Sequence, residues 1–218
     1  MEITKEQLQH IDNHLKKMGI KYWDLRLEMI DHIVTNIEND SETHNFKDAF
    51  KMSLKKLGWL GRLSNINTEG WQNVNRKYRS EYHKGFLNFF KNYKNIALLI
   101  IGFLILYLIS KNVSFDVFRE ISYSLFISPL TIVLVEFGKS LFKKYGRSVN
   151  LDYGVTYMIM SFLILNAIPL FFEDKSELFQ KIMWFIVLSV HFVAFYSGYN
   201  LYKKAIQKIE FMKKELAR

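Results

Sequence analysis

The chain has 218 residues, of which 50% are hydrophobic, 16% aromatic and 23% charged. It contains 10 glycines, 2 prolines and no cysteine, which excludes collagen-like and disulfide-stapled proteins, thiolate catalysis and Cys-ligated metal centres. The high apolar content also excludes an intrinsically disordered chain. The net charge of +9 suggests an anionic partner, either a nucleic acid or a lipid surface.

The positive charge is segregated along the chain, so the mean hydropathy of −0.02 averages two unlike parts. Residues 59–94 carry a net charge of +5 and residues 201–218 a net charge of +4, whereas residues 95–200 carry only +1. Basic segments therefore flank the apolar half of the chain, which is typical of a membrane protein.

Residues 1–59 predict a small cytosolic head of three helices. Thr4 and Gln7 have the capping-box spacing and precede an amphipathic first helix that Gly19 ends. A second helix is predicted over residues 22–38, and a third begins at Asn45, a favourable N-cap, and ends at Gly58. Because so short a segment builds only a marginal core, we expect the head to rest on the segment that follows.

Residues 60–94 predict a linker and then an amphipathic helix that runs into the first apolar segment. At about 100° per residue, one face of this helix is aromatic and the opposite face is cationic. The aromatic face holds Trp71, Tyr78, Tyr82, Phe86, Phe89 and Tyr93, and the cationic face holds Arg76, Lys77, Arg79, Lys84, Lys91 and Lys94. The favoured interpretation is an interfacial helix on anionic lipid of the cytoplasmic leaflet. The alternative is packing of the aromatic face on the head, and nucleic-acid binding is less favoured.

Four apolar segments predict a four-helix transmembrane bundle, so the predicted fold class is all-α. They cover about residues 95–111, 120–138, 153–172 and 181–202, close to the ~20 residues that cross a bilayer, and both prolines lie inside them. Sixteen basic residues fall on one side of these segments and four on the other. The positive-inside rule therefore places both termini in the cytoplasm of a bacterial inner membrane. Residues 203–218 predict a basic, amphipathic cytosolic tail, and the polar start MEITKEQ is unlike a signal peptide.

Three polar residues lie within the predicted spans, where polar groups are costly and often functional: His191, Asn166 and Glu136. His191 shares a helix face with Ala194 and Gly198, a spacing of small residues that favours helix packing. The alternatives for His191 are a hydrogen bond across a helix interface, and a proton relay or ligand site. If the His191–Gly198 face pairs subunits, the chain is an oligomeric effector, channel or transporter subunit. The three polar residues are candidates for a cluster inside the bundle, but their differing depths do not make a transporter pathway.

No catalytic constellation is found, and we expect no cofactor and no bound metal. His10 and His14 have the i, i+4 spacing that can hold a metal ion, but the intervening residues lack the glutamate of the zinc-protease motif. Both histidines are therefore predicted to lie on a solvated helix face.

The order of features in the head carries a resemblance. An amphipathic helix is followed by an Arg-x-Glu-apolar stretch with an acid and a histidine, and then by a helix that ends in Leu-Gly. The residues concerned are Leu8, Ile11, Leu15, Arg26, Glu28, Met29, Asp31, His32, Phe46, Ala49, Phe50, Leu57 and Gly58. This pattern resembles the permease-prefix, or alpha–alpha signalling, domains that precede membrane spans in bacterial proteins. Gly19-Ile20 stands where that family has a Leu-Pro turn.

The resemblance covers about the first quarter of the chain and implies a membrane-tethered signalling protein, not an enzyme. Such domains often accompany a PadR-like transcriptional regulator, so it implies a cytosolic protein partner. Arg26 and His32 also have a spacing similar to that of HEPN-type ribonucleases, some relatives of which are membrane proteins of CRISPR loci. Six residues along a helix leave the two side chains about 120° apart, which disfavours a shared phosphate site. We therefore predict a membrane-tethered regulatory module that binds a cytosolic protein.

Overall fold

A computed structural model describes residues 2–39 and 45–216, so the last two residues of the predicted tail lie outside the described residues. Within these ranges the chain is all-α and contains no strand, which confirms the predicted fold class. The described residues form two compact units. Unit 1 draws on Met1–Lys77, Gly146–Asp152 and Ile209–Arg218, and unit 2 on Tyr78–Tyr145 and Tyr153–Lys208.

Unit 1 contains three short helices: α1 (Lys5–Lys17), α2 (Trp23–Glu38) and α3 (Phe46–Lys56). The Thr4 hydroxyl accepts a hydrogen bond from the Gln7 backbone N–H, and the Gln7 side chain accepts one from the Thr4 N–H, so the predicted capping box is present. The Asn45 side chain caps α3 in the same way. Gly19 takes the left-handed backbone conformation after α1, at φ +90°, where a side chain would be strained.

The hydrophobic core of unit 1 lies among these helices and includes the beginning of α4 (Leu63–Phe89). Its most deeply buried members come from α1 and α2, including Ile11, Leu15 and Ile33. Leu63 is buried in the same core and Ile66 packs against it, so the head does rest on the segment that follows it.

Unit 2 contains the apolar helices α5 (Tyr93–Asn112), α6 (Phe115–Ile127) and α7 (Leu130–Phe142) and most of α8 (Val149–Leu165) and α9 (Glu177–Leu216), with a 3₁₀ helix at Ile168–Phe172 after α8. The start of α8 and the end of α9 belong to unit 1. By length and composition, four segments are able to cross a membrane: Tyr93–Asn112, Phe115–Phe142, Val149–Phe172 and Glu177–Glu215. The chain is thus a helical membrane protein with four candidate spans.

Each proline interrupts one candidate span. Pro129 separates α6 from α7 because it supplies no N–H, and the Ser128 hydroxyl donates to the Leu125 carbonyl that this leaves free. Pro169 lies in the 3₁₀ helix. Both interruptions fall within apolar segments, as the sequence predicts.

Small residues bring α4, α8 and α9 of unit 2 into close contact. A Cβ added at Gly154 of α8 would lie 2.9 Å from the Ala205 Cβ of α9, and one added at Gly198 of α9 would lie 2.8 Å from the Met158 Cα of α8. The Ser197 hydroxyl of α9 donates to the Tyr82 carbonyl of α4 at 2.8 Å, beside Gly85. These positions have no room for a larger side chain, so they fix how closely the helices approach.

Candidate functional site

The most densely bonded polar group of unit 1 is the carboxylate of Asp24, in the first turn of α2, which is 1% exposed. It accepts hydrogen bonds from the Ser148 hydroxyl at 2.6 Å, the Val149 backbone N–H at 3.0 Å, and the Asn150 backbone and side-chain N–H groups at 3.0 and 2.6 Å. The Ser148 hydroxyl in turn accepts a bond from the Leu151 N–H. One carboxylate from the head thus caps the N-terminus of α8.

This arrangement is favourable because the first N–H groups of a helix have no partner inside the helix, and its N-terminus carries partial positive charge. A buried carboxylate needs several donors to offset its lost hydration, and this helix start provides them. We call the group formed by Tyr22, Trp23, Asp24 and residues 146–152 the α8 anchor.

Two further contacts hold the α8 anchor. The Trp23 backbone N–H donates to the Arg147 carbonyl at 3.1 Å, and the Trp23 ring lies against Gly146. The Tyr22 phenol is hydrogen-bonded to Asp152, and burial together with that nearby negative charge raises the pKa of Tyr22. Lys213 of the tail lies 5.9 Å from the centre of the Trp23 ring, within cation–π range. Unit 1 therefore joins three separate parts of the sequence around the start of α2.

The four head residues of the family resemblance do not form a site. The Arg26 guanidinium is paired with Asp12 at 2.6 Å and donates to the backbone carbonyls of Ile20 and Lys21. Glu28, Asp31 and His32 are exposed, and the His32 ring packs edge-on to Trp59. Arg26 joins α1 to α2 and the turn between them, so the structure gives Arg26 and His32 separate partners.

The Arg26–Asp12 pair changes the pKa of Asp12. Burial, which favours the neutral form of Asp12, is outweighed by hydrogen bonds from Lys16 and Arg26, so the pKa of Asp12 is lowered. The stabilisation that this ion pair contributes therefore depends on pH under acidic conditions.

His10 and His14 correct the prediction of a fully solvated face. His10 is exposed but its ring lies edge-on to Phe46 and Phe50, and His14 is half-buried with its ring 5.3 Å from that of Phe50. Burial and the neighbouring His10 and Lys17 lower the pKa of His14. Across residues 2–39 and 45–216, no group of three or more acids and histidines is arranged to hold a metal ion.

Three aromatic side chains of the predicted face, Tyr78, Tyr82 and Phe89, are buried inside unit 2. Tyr78 and Tyr82 pack on the Tyr157 ring of α8, and Phe89 packs on Phe192 and Tyr196 of α9. Tyr78, Tyr82 and Phe89 are at most 9% exposed, and burial raises the pKa of Tyr82 to about 12. These three side chains are therefore packed against other helices of the same chain.

The ends of the predicted face behave differently. α4 stops at Phe89, and Asn92 caps a new helix, so Tyr93 belongs to α5 and is 76% exposed. Phe86 is half-buried, and Trp71, which belongs to unit 1, is partly exposed. The cationic side chains are all exposed: Arg76, Lys77, Arg79, Lys84, Lys91 and Lys94.

Glu136 is buried in α7, and its carboxylate is paired with two lysines. Lys139 of the same helix lies at 3.0 Å and Lys203 of α9 at 3.2 Å. The Tyr202 hydroxyl donates to the Glu136 backbone carbonyl at 3.4 Å. Glu136 thus has one partner, Lys139, in its own helix and a second, Lys203, that ties α7 to α9.

The polar cluster considered for the spans does not form. Asn166 is exposed in the turn after α8, Glu136 is held by lysines, and His191 lies among aromatic rings. The Ala194–Gly198 side of α9 packs on the Tyr157–Met158 backbone of α8 within this chain, so Gly198 is not available to pair with a second subunit.

Of the three polar residues predicted within the spans, His191 has the most unusual surroundings. It is 2% exposed, with its ring 4.3 Å from that of Phe126 and 4.5 Å from that of Phe162. Within the described part of the chain, neither ring nitrogen has a hydrogen-bond partner of ordinary geometry, and the Phe126 backbone is the polar group beside it. The side chain also lines a cavity of about 610 Å³ that α5, the α6–α7 break and α9 enclose.

Asp24 is the site residue that sequence reasoning missed. In the sequence it is one of many acids in the first turn of a helix, where a carboxylate favours its own helix. Its partners lie about 125 residues away, so no local pattern reveals them. The available signal was Ser148 just before an apolar helix, an N-cap residue.

Searches against protein-family models, curated proteins and solved structures find no match to this chain.

Proposed function

We propose that this protein is a membrane-tethered regulatory module, in which unit 1 binds a cytosolic protein and the α8 anchor couples that unit to the spans. The observation that carries the proposal is the buried Asp24 carboxylate bonded to the first residues of a candidate span. A head that served only as a tethered domain would need no charged group buried against the membrane segment.

The chain segments that make up unit 1 support the proposed orientation of the protein in the membrane. The N-terminal head, the residues between the second and third candidate spans, and the C-terminal tail all contribute to it. Segments that share one compact unit lie on one side of a membrane, which agrees with an even number of spans. Because these segments and their flanks are rich in lysine and arginine, we assign them to the cytoplasmic side of a bacterial inner membrane.

The anchor supplies a means of regulation. A shift of α8 along its axis would break bonds to Asp24, and the same helix carries the Tyr157 and Met158 contacts of unit 2. A charged group held by several bonds tends to have two discrete states, bonded and released, and such an element can be biased by events at either end. Binding to unit 1 and rearrangement of the spans would then alter the same equilibrium.

Anionic lipid is a second proposed partner. Six basic side chains between residues 76 and 94 are exposed and adjoin the first candidate span. Each basic residue near an anionic surface contributes about 1 kcal/mol at most, so the group strengthens contact with the cytoplasmic leaflet without selecting a particular protein.

A site-specific photocrosslinking experiment tests the protein partner. A photoreactive residue replaces Met18 or Met52, the exposed apolar side chains at 45% and 38% on unit 1, in the full chain in its native membrane. The control position is Phe171, 80% exposed at the C-terminal end of the third candidate span. We expect one cytosolic protein to be captured from Met18 or Met52 and not from Phe171, and captured less in the Asp24→Ala background. Equal capture from all three positions, or none above background, would contradict the proposal.

A further inference from the structure

The cavity beside His191 is the feature of unit 2 that packing alone does not explain. Its volume of about 610 Å³ falls within the range of about 300–1,000 Å³ that is usual for small-molecule sites. It is lined by residues of α5, the α6–α7 break and α9, and apart from His191 none of the lining residues is acidic or basic. A charged ligand would therefore meet no counter-charge there.

Besides His191, five lining residues carry hydroxyl groups: Ser128, Thr131, Ser189, Tyr196 and Tyr199. Thr131 and Ser128 already donate their hydroxyl hydrogens to backbone carbonyls, so only their oxygen lone pairs remain. His191 carries one donor and one acceptor in its neutral form; it is 2% exposed, the Phe126 backbone lies beside it, and neither nitrogen has a hydrogen bond of ordinary geometry. Leaving such groups buried without partners costs about 1–3 kcal/mol each, so a site of this kind is completed by a polar ligand atom.

The cavity also has an entrance for an apolar molecule. The α5 span and the α6–α7 span are the least buried of the candidate spans, and each has 11% of its apolar window buried. Leu98 and Phe103 of α5 line the cavity while being 59% and 48% exposed, so the wall on that side faces the surroundings of the spans. In a bilayer those surroundings are acyl chains, from which an amphiphile can enter.

We propose that this cavity binds an uncharged amphiphile drawn from the bilayer, with its apolar body against α5 and α7 and a single hydroxyl or carbonyl head bonded to His191. A hydroxyl group suits either ring nitrogen, because it donates to the nitrogen without a proton or accepts from the nitrogen that carries one. The Phe126 and Phe162 rings fix the imidazole and leave it little room to seek another partner. This inference does not depend on the proposed regulatory role.

The test uses the full chain in lipid nanodiscs and a photoreactive hexadecanol. Labelling followed by peptide mass spectrometry should place the probe on α5, α7 and α9 at the cavity, and excess unlabelled hexadecanol should compete it away. Hexadecane and palmitate serve as competitors that lack the hydroxyl or carry a charge. We expect both to compete about tenfold less well than hexadecanol.

Three variants separate the roles of shape and hydrogen bonding. Gly102→Leu extends a side chain from a cavity-lining position whose Cβ meets no atom within 4 Å, so it fills the site and should abolish labelling. Gly138→Leu is the matched control, because that glycine is equally open and does not line the cavity. His191→Leu should weaken hexadecanol binding about tenfold and leave any hexadecane binding unchanged.

Three results would overturn the proposal. These are labelling spread over all lipid-facing helices without competition, palmitate outcompeting hexadecanol, and equal labelling of the Gly102→Leu and Gly138→Leu proteins. If His191→Leu fails to fold, as judged by its thermal transition, the Gly102→Leu comparison and the competitor series still decide the matter.

Discussion

Replacing Asp24 by alanine should release the start of α8 from unit 1. Four hydrogen bonds from residues 148–150 end on this carboxylate, and two of their donors are the backbone N–H groups of Val149 and Asn150. Asn150 is 2% exposed, so water cannot readily replace the lost acceptor. A buried donor left without a partner costs about 1–3 kcal/mol, and removal of one member of a buried charged network costs about 3–5 kcal/mol. Because the bonds share one group and are not additive, we expect a loss of about 3–4 kcal/mol.

Amide hydrogen exchange in nanodiscs measures this loss locally. At one decade per 1.36 kcal/mol, the protection of residues 146–152 should fall on the order of 10²- to 10³-fold. Protection in α1 and α3 should fall less, because the core around Ile11 and Leu15 does not involve Asp24.

Two variants of α2 make the result interpretable. Asp31→Ala removes an exposed acid from the same helix and should change protection at 146–152 by less than about threefold, as surface substitutions do. Asp24→Asn keeps one acceptor oxygen but turns an N–H₂ group toward the donors, so its effect should fall between those of the two alanine variants. Equal protection in the Asp24→Ala and Asp31→Ala proteins would refute the idea that Asp24 holds α8.

Three further outcomes are expected. The Asp12 pKa is depressed in the folded state by Lys16 and Arg26, so its contribution to stability is present above the ordinary carboxyl pKa and is lost as pH falls below about 4. An acid titration of unfolding should therefore be shallower in Asp12→Asn, and an unchanged slope would contradict this. Gly198→Ala forces a methyl group against the α8 backbone and should lower the temperature of the thermal transition, whereas Gly138→Ala, which has open space around it, should not. Light scattering should find the same proportion of monomers to dimers in both variants. Green fluorescent protein fused at either terminus should fluoresce and alkaline phosphatase should be inactive, because both termini are assigned to the cytoplasm; active phosphatase at either end would reject the topology.

The sequence predicts the helices of this protein well because the patterns are local. The capping box at Thr4, the N-cap at Asn45 and the apolar segments each act over a few residues, and the structure contains all of them. Helix ends are less well predicted. The sequence predicts that the first span begins after Lys94. The helix begins earlier, because the Asn92 side chain caps it by accepting a hydrogen bond from the Lys94 N–H.

What the sequence cannot supply is which faces meet. A stripe of aromatic residues beside basic ones has the same pattern whether it lies on lipid or on other helices, and for Tyr82 and Phe89 the partners are Tyr157 and Tyr196, far along the chain. The same holds for Gly198, whose spacing with Ala194 indicates close packing but not whether the neighbour belongs to the same molecule. His191 was correctly singled out as a costly polar residue, yet its cavity arises from three segments and has no local signature.

The separation in sequence between Asp24 and its partners also orders the synthesis of the protein. The ribosome makes Asp24 124 positions before Ser148, with the first two candidate spans in between. Until those spans have been made and the third begins, the carboxylate lacks these donors and stays hydrated. In the proposed topology, insertion of two spans returns the chain to the side of the membrane that holds Asp24, so the closing of a loop this long need not rely on diffusion alone. The bonds between Asp24 and residues 148–150 therefore form only after the two preceding spans are inserted in that sense, and the contact of Lys213 with Trp23 is added later.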